Sequence, residues 1–387
     1  MVNLKILHII ASVDMSQGGP IQAVLQTVDS LPSDQSLEVV SLDDPNALYV
    51  KDFPVVVHAL GPTAKKYGYT PKLAEWIIEN ASRFDAAVIH GLWNHASVGG
   101  WHGCYKANLP YVIFTHGMMD PWFKKAYPLK HWLKQLFWIV QGRALRDAKA
   151  VLFTCEEEKR LAYGVFWGYE YTPKVVAFGA PDVPQIDEKK AHLAFEQALP
   201  QISGRPYLLY LSRIHEKKGC DLLLQAFASI KHRPELQLIM AGPCHDDYID
   251  KLKNLSDQLG ISDRVHWPGM LKGESKAGAF RAAEAFVLTS HQENFGIAVA
   301  EALAYGKAVL ISNQINIWRE IEQGGGGIVG SDTVEGATEV LKSWENKTSE
   351  QRRKISESAR QVYEQNFTVE AATRDLTLAL KQAIASK

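Results

Sequence analysis

Short apolar runs bounded by turn residues recur along the chain and alternate with longer amphipathic stretches. In the first half the runs are residues 4–10, LEVVSLD, VVVHALG, AAVIHG, YVIFTHG and AVLFTC, with helical periodicity through Trp76, after His95 and over about 128–145. Such runs alternating with helices predict a parallel sheet, whose strands are buried on both faces and joined by crossover helices. Residues 178–187, FGAPDVPQID, carry two prolines and no periodicity and read as a linker. The rhythm restarts with YLLYLS, LQLIMAG, RVHWPG, AFVLTS and KAVLIS, and a last amphipathic stretch spans residues 368–385. The expected architecture is α/β, two doubly wound Rossmann-like domains facing across a cleft, with residues 1–183 in the first and 184–367 in the second.

Ligands of such sheets meet the loops at the strand C-terminal ends. After the run at 285–288 comes TSHQENFGIAVAEALAYG, residues 289–306, in which Gly296 opens an apolar helix and Gly306 closes it. Glu301 lies inside that helix and Glu293 eight positions earlier, so two carboxylates flank a helix N-terminus. The N-terminus suits a phosphate and carboxylates suit sugar hydroxyls, which together describe a nucleotide sugar. The competing reading is that Glu293 caps the helix and Glu301 pairs with a nearby Lys or Arg. After YLLYLS stand Arg213, Lys217, Lys218 and Gly219. Cations so close repel one another without an anion between them, which points to a diphosphate clamp. Gly18-Gly19-Pro20 follow the first strand and open a helix, and paired glycines let a backbone approach a ligand closely. Other loops at strand ends hold His90, Trp93, Asn94, His95 and His116.

The positions of Glu293, Phe295, Gly296, Glu301, Ala302, Gly306 and Val309 resemble the E-x7-E signature of retaining glycosyltransferases of family 4. Lys307-Ala308 depart from it, since a proline usually precedes the valine there. Arg213 and Lys218 match the family's arginine-to-lysine-glycine motif, Gly18-Gly19 its glycine loop, and THG its histidine beside the donor sugar, here His116. The resemblance implies the GT-B fold, a last helix crossing back onto the first domain, and retention of anomeric configuration. Glu293 is then expected on sugar hydroxyls and Glu301 on the ribose. Asn294, Phe295, Gly296 and Ile297 lead into the phosphate-binding helix start, and Gly242, Met270 and Leu271 lie in loops that meet the base through backbone groups. HGLWNHAS, THGMMDPW and NIWREIE further resemble bacterial and cyanobacterial envelope-polysaccharide transferases. The implied donor is a UDP-sugar, UDP-glucose first, and the implied acceptor a polysaccharide or lipid-linked saccharide. An epimerase of nucleotide sugars, or a noncatalytic nucleotide-sugar-binding protein, are the alternatives on the same architecture.

Charge and composition narrow the partners. A formal net charge of −1 argues against nucleic acid. Cys104, Cys155, Cys220 and Cys244 are widely spaced and read as reduced buried thiols of a cytoplasmic protein. No run is long enough to span a bilayer, so the chain is expected to be soluble or peripheral at the inner face of a membrane. The acidic pairs Asp43-Asp44 and Asp246-Asp247 are not D-x-D, so no metal and no cofactor beyond the donor is expected, and the second pair looks like a helix N-terminus. Residues 122–149 hold seven basic residues against one acid, with six aromatics interleaved, and Leu129, Trp132, Leu133, Leu136 and Val140 at helical spacing. That apolar stripe reads as a face packed on the sheet, while the basic and aromatic surplus suits an anionic lipid surface or a lipid-pyrophosphate acceptor.

Overall fold

The computed structural model describes residues 4–63, 67–244 and 247–386. The chain divides into two compact units, Met1–Gly179 with Val369–Lys387, and Ala180–Thr368.

Unit 1 is built on seven parallel strands, β1 (Leu4–Ile9), β2 (Gln35–Ser41), β3 (Val57–Ala59), β4 (Ala86–His90), β5 (Tyr111–Phe114), β6 (Ala150–Phe153) and β7 (Pro173–Val175), in the order β3-β2-β1-β4-β5-β6-β7. Side chains alternate between two cores because successive residues of a strand face opposite ways. Leu7, Ile9, Ala87, Ile89 and Ile113 fill one, and Ile6, Ile10, Val88 and Val112 fill the other. Four of its helices matter below: α1 (Gly19–Asp29), α2 (His95–Lys106), α3 (Pro128–Asp147) and α4 (Glu156–Ala162).

Unit 2 repeats the plan with β8 (Tyr207–Leu211), β9 (Gln237–Ala241), β10 (Val265–Gly269), β11 (Ala285–Leu288), β12 (Val309–Ser312) and β13 (Gly327–Gly330), in the order β10-β9-β8-β11-β12-β13. Its relevant helices are α5 (Cys220–Ala228), α6 (Gly273–Ala282) and α7 (Ile297–Ala304). Strand order reverses direction between β1 and β4 in unit 1 and between β8 and β11 in unit 2. A helix covering each side of that point leaves the strand ends open to a ligand. The last helix, α8 (Val369–Ala385), buries Leu376, Ala379, Leu380 and Ala383 in the second core of unit 1.

Three expectations change or gain detail. The stripe on α3 does not pack on the sheet: Leu129, Trp132, Leu133, Leu136 and Val140 are 37–73% exposed. The face that packs inward is Trp138, Gln141, Gly142, Ala144 and Leu145, and a side chain on Gly142 would meet the Tyr169 ring at 2.2 Å, so the helix lies too close to that ring for a larger residue. The division between the units falls inside the proline-containing stretch, whose later part is tied into unit 2: Ala180 bridges to Thr368 and Asp182 takes a two-pronged ion pair from Arg360. Cys244 is half-buried rather than buried, while Cys104, Cys155 and Cys220 are buried and free. Among the described residues no helix is long and apolar enough to cross a membrane.

Candidate active site

In unit 2 the loops after β8 and β11, which flank the reversal point, are stitched together by their backbones. Thr289 Oγ donates to the Gly219 carbonyl at 2.7 Å, and the His291 amide donates to the Lys217 carbonyl at 3.0 Å. Gly219 stands at φ +60°, and a side chain there would meet the Thr289 carbonyl oxygen at 2.1 Å, so glycine is required for the loops to close. This stitching carries Lys218, which is buried, against Glu293, whose carboxylate accepts from its ammonium. Glu293 is itself fixed through its backbone: its amide donates to the Gln314 carbonyl at 2.9 Å and its carbonyl accepts from the Asn316 amide at 3.1 Å.

Gly296, at φ +78°, turns the chain into α7, whose first amides have no intrahelical acceptor. Within α7, Glu301 ion-pairs through Oε1 with Lys276 of α6 at 2.7 Å. Arg213 is exposed on the loop after β8. Two bases of positive charge, a helix N-terminus and two carboxylates therefore share the C-terminal edge of one sheet.

In unit 1 a row of three imidazoles climbs the sheet. His8 lies within β1, His90 ends β4, and His116 lies two residues beyond β5. His8 pairs in register with Val88, and His90 with Phe114, so each strand contributes its histidine two residues further toward the C-terminal edge. His8 Nδ1 is 2.9 Å from His90 Nε2, and His90 Nδ1 is 3.0 Å from His116 Nε2. Burial pushes His8 down to about 4 and His116 to about 3. Burial, and then the neighbouring His8 and His116, hold His90 well below the usual imidazole range. All three rings are thus neutral at physiological pH.

His116 has φ +50°, a left-handed conformation that costs a non-glycine residue about 1–2 kcal/mol. Its neighbours are fixed by Glu158 of α4. Oε1 of this buried carboxylate accepts from Thr115 Oγ and from the Gly117 amide, and Oε2 accepts from the amide and hydroxyl of Thr154, each at 2.7 Å. The loop after β1 is held by buried Asp43 of the loop after β2, which accepts from Ser12 Oγ (2.6 Å), the Val13 amide (2.8 Å) and Tyr49 (3.2 Å). Gly18 follows at φ +96°, and a side chain on Gly18 or Gly19 would meet nothing within 4 Å, so open space adjoins both.

Two family descriptions cover most of the chain: "Glycosyl transferase 4-like domain" matches residues 18–173, and "Glycosyl transferases group 1" matches residues 194–362. The chain belongs to the family 4 glycosyltransferases. It is 26% identical over 358 residues to a GDP-mannose:cellobiosyl-diphosphopolyprenol alpha-mannosyltransferase of Xanthomonas oryzae pv. oryzae, covering 88% of this chain and 87% of that one. An uncharacterized glycosyltransferase of Methanocaldococcus jannaschii is 28% identical over 45% of this chain and 42% of its own. The match spans less than two thirds of the length of the first curated relatives, 42%, 27% and 62%. A crystal structure of Anabaena HepE in complex with UDP and glucose shares the fold, with a TM-score of 0.77, 18% identity and coverage of 98% and 99% of the two chains. The fold of this family 4 glycosyltransferase is that of the GT-B class.

The structure brings Lys218 and Glu293 into contact, so a carboxylate of the chain itself stands against Lys218, where the sequence reading expects a diphosphate. Gly242 serves packing. At φ +151° a side chain would lie 1.8 Å from the Ser212 carbonyl, and its amide donates to the Gly269 carbonyl at 2.8 Å, so a base contact could use only its carbonyl. Met270 is half exposed and Leu271 buried. Phe295 is buried edge-on against Phe367, and Asn294 accepts from Asn316 at 3.5 Å. Ile297 is the first residue of α7. Asp247 directly precedes the helix Tyr248–Gln258, and Asp246 lies outside the described residues. His95 is occupied by the Thr70 carbonyl at 2.7 Å. Sequence reasoning missed His8 and Glu158. The signal for His8 was a polar residue inside an unbroken buried strand, whereas Glu158 in a run of three glutamates carried none.

Proposed function

We propose that the protein is a retaining, metal-independent hexosyltransferase that moves a hexose from a nucleotide sugar, UDP-glucose first, to a polysaccharide or lipid-linked saccharide. The observation that carries this reading is the Lys218–Glu293 contact, made between the loop that also carries Arg213 and the loop that leads into α7. In the free protein the buried ammonium is neutralised by Glu293. A donor diphosphate offers Lys218 a second anion, and Glu293 is then released to the hydroxyls of the sugar. As the bond to the anomeric carbon breaks, negative charge grows on the diphosphate. Each cation at ~4 Å in an effective dielectric of ~20 contributes roughly 4 kcal/mol, so Lys218, Arg213 and the amides at Gly296 are a sufficient electrophile. Glu301 keeps Oε1 on Lys276 and offers Oε2 to the ribose. His116 and the Gly18-Gly19 loop of unit 1 take the donor-sugar and acceptor roles that family membership suggests.

The acceptor reading draws on α3. Its exposed apolar residues are flanked by Lys124, Lys125, Lys130 and Arg143, all exposed, which suits an anionic bilayer surface. Beside it a cavity of about 220 Å³ is lined by Asp120, Tyr127, Lys130, His131, Lys134 and Phe166 among others. Burial, then Lys130, lowers Lys134, whose ammonium sits 4.7 Å over the Trp93 ring, so an anionic group entering the cavity would relieve it. A lipid-linked diphosphate saccharide has both an apolar tail and such a group. The Xanthomonas relative, named for a diphosphopolyprenol acceptor, supports this choice, and its GDP-mannose donor is the rival to UDP-glucose.

Release of nucleoside diphosphate from UDP-glucose and GDP-mannose, each with and without EDTA, tests the reading. UDP release that survives EDTA is expected. Loss restored by magnesium overturns metal independence, and tighter calorimetric binding of GDP-mannose overturns the donor.

A further inference from the structure

His90 has one ring proton when neutral, yet both its nitrogens face another imidazole. It must donate on one side and accept on the other, so its two neighbours cannot choose their tautomers independently. With protons on every Nδ1, His8 donates to His90, His90 donates to His116, and the outer end of the row is an N–H on His116 Nδ1. With protons on every Nε2 the row runs the other way, and the His8 Nε2 proton is left without an acceptor among the described residues, in a fully buried position. Buried N–H groups without an acceptor are rarer in folded proteins than unfilled acceptors.

We infer that His8 and His90 are positioning residues that lock His116 as a hydrogen-bond donor at Nδ1, so that the two hydrogen bonds of the row point outward to a ligand oxygen. The geometry behind this is the two-residue stagger of β1, β4 and β5, which sets the rings in hydrogen-bonding contact from the sheet interior to its C-terminal edge. Neighbouring rings are nearly parallel, with centroids 5.1 and 5.3 Å apart and interplanar angles of 20° and 19°. A hydroxyl or phosphate oxygen of the donor is the complementary group, while a ligand N–H is not. This rests on the reading of His116 as a donor-sugar contact, but the tautomer of the free protein can be measured without any substrate.

Nitrogen-15 imidazole spectra of the ligand-free protein at pH 7 are expected to show His8, His90 and His116 all protonated at Nδ1. Protons on Nε2, or mixed tautomers, overturn the inference whatever the protein's activity. The second arm is kinetic. His8→Leu keeps an apolar side chain of similar size but breaks the row, and should let His116 relax to a mixture of tautomers and lower kcat/KM for UDP-glucose about tenfold, the size of one hydrogen bond. His8→Asn, whose amide nitrogen can occupy the place of Nδ1, should restore both. Unchanged His116 signals in folded His8→Leu overturn the positioning role. Altered signals with unchanged kinetics leave the row standing and overturn instead the placement of His116 at the donor.

Discussion

Glu293 and Lys218 neutralise each other in a buried setting, so removing one leaves the other in trouble. Glu293→Gln strands an ammonium without its counter-charge and should cost about 3 kcal/mol in unit 2. A diphosphate then has more to offer the variant than the wild type. Thermal melts are expected to show a larger UDP-induced rise in Tm for Glu293→Gln than for the wild type, and almost none for Lys218→Met, while both lose about a hundredfold or more in turnover. Equal shifts in all three proteins would remove Lys218 from the diphosphate site. At Glu158, four donors converge on two oxygens, and a glutamine would turn an N–H toward an amide or hydroxyl donor. Glu158→Gln should lower stability in urea by about 3 kcal/mol and depress turnover through the strained His116. Lys218 and Glu293 each stood out because each stands in a spaced pattern after a strand, but their contact with each other did not. Glu158 was not, since what sets it apart is the four donors that tertiary structure brings to it.

At the scale of elements, the α3 helix separates what periodicity says from what it leaves open. Spacing at i, i+3 and i+4 identified an apolar face but not its direction, and the side packed inward is instead marked by small residues such as Gly142 and Ala144. Since Leu133 and Leu136 are exposed, Leu133→Asp with Leu136→Asp should change stability by no more than about 0.5 kcal/mol per site. The same pair should sharply reduce cosedimentation with vesicles containing phosphatidylglycerol. Retained binding would send the lipid partner elsewhere. Most strands were readable as apolar runs, but β7 and β13 were not. Pro173–Val175 is three residues long and Gly327–Gly330 begins and ends in glycine, so both take their strand character from the neighbour they pair with at a sheet edge.

For the whole molecule, the two units should fail in acid at different points. In unit 1, His8, His90 and His116 are held neutral with pKa values below the unfolded 6.5, so the unfolded chain binds more protons below that pH and stability falls as the pH drops from 6.5 toward 4. In unit 2, burial raises the Glu284 carboxyl, but the Arg233 fork and then Arg352 and Trp344 outweigh it and hold it below 4.5. That contribution is present above 4.5 and is lost only as the pH falls through the lower folded value. His266 of unit 2 is also lowered by burial, though as a single half-buried ring. Near-ultraviolet circular dichroism against pH should therefore show two transitions, with the first moved to lower pH in His8→Leu and the second flattened in Glu284→Gln; one concerted transition would contradict the assignment. Two domains were legible from the restart of the strand rhythm after residue 187, because a second set of buried strands needs a second sheet. The same division bears on synthesis at the ribosome. Unit 2 is one continuous stretch and can fold as soon as residue 368 has cleared the exit tunnel. Unit 1, although translated first, lacks the Leu376, Ala379, Leu380 and Ala383 wall of its second core until α8 arrives, so the nascent chain must carry an open apolar sheet past some two hundred codons, which makes that face a natural client for a chaperone.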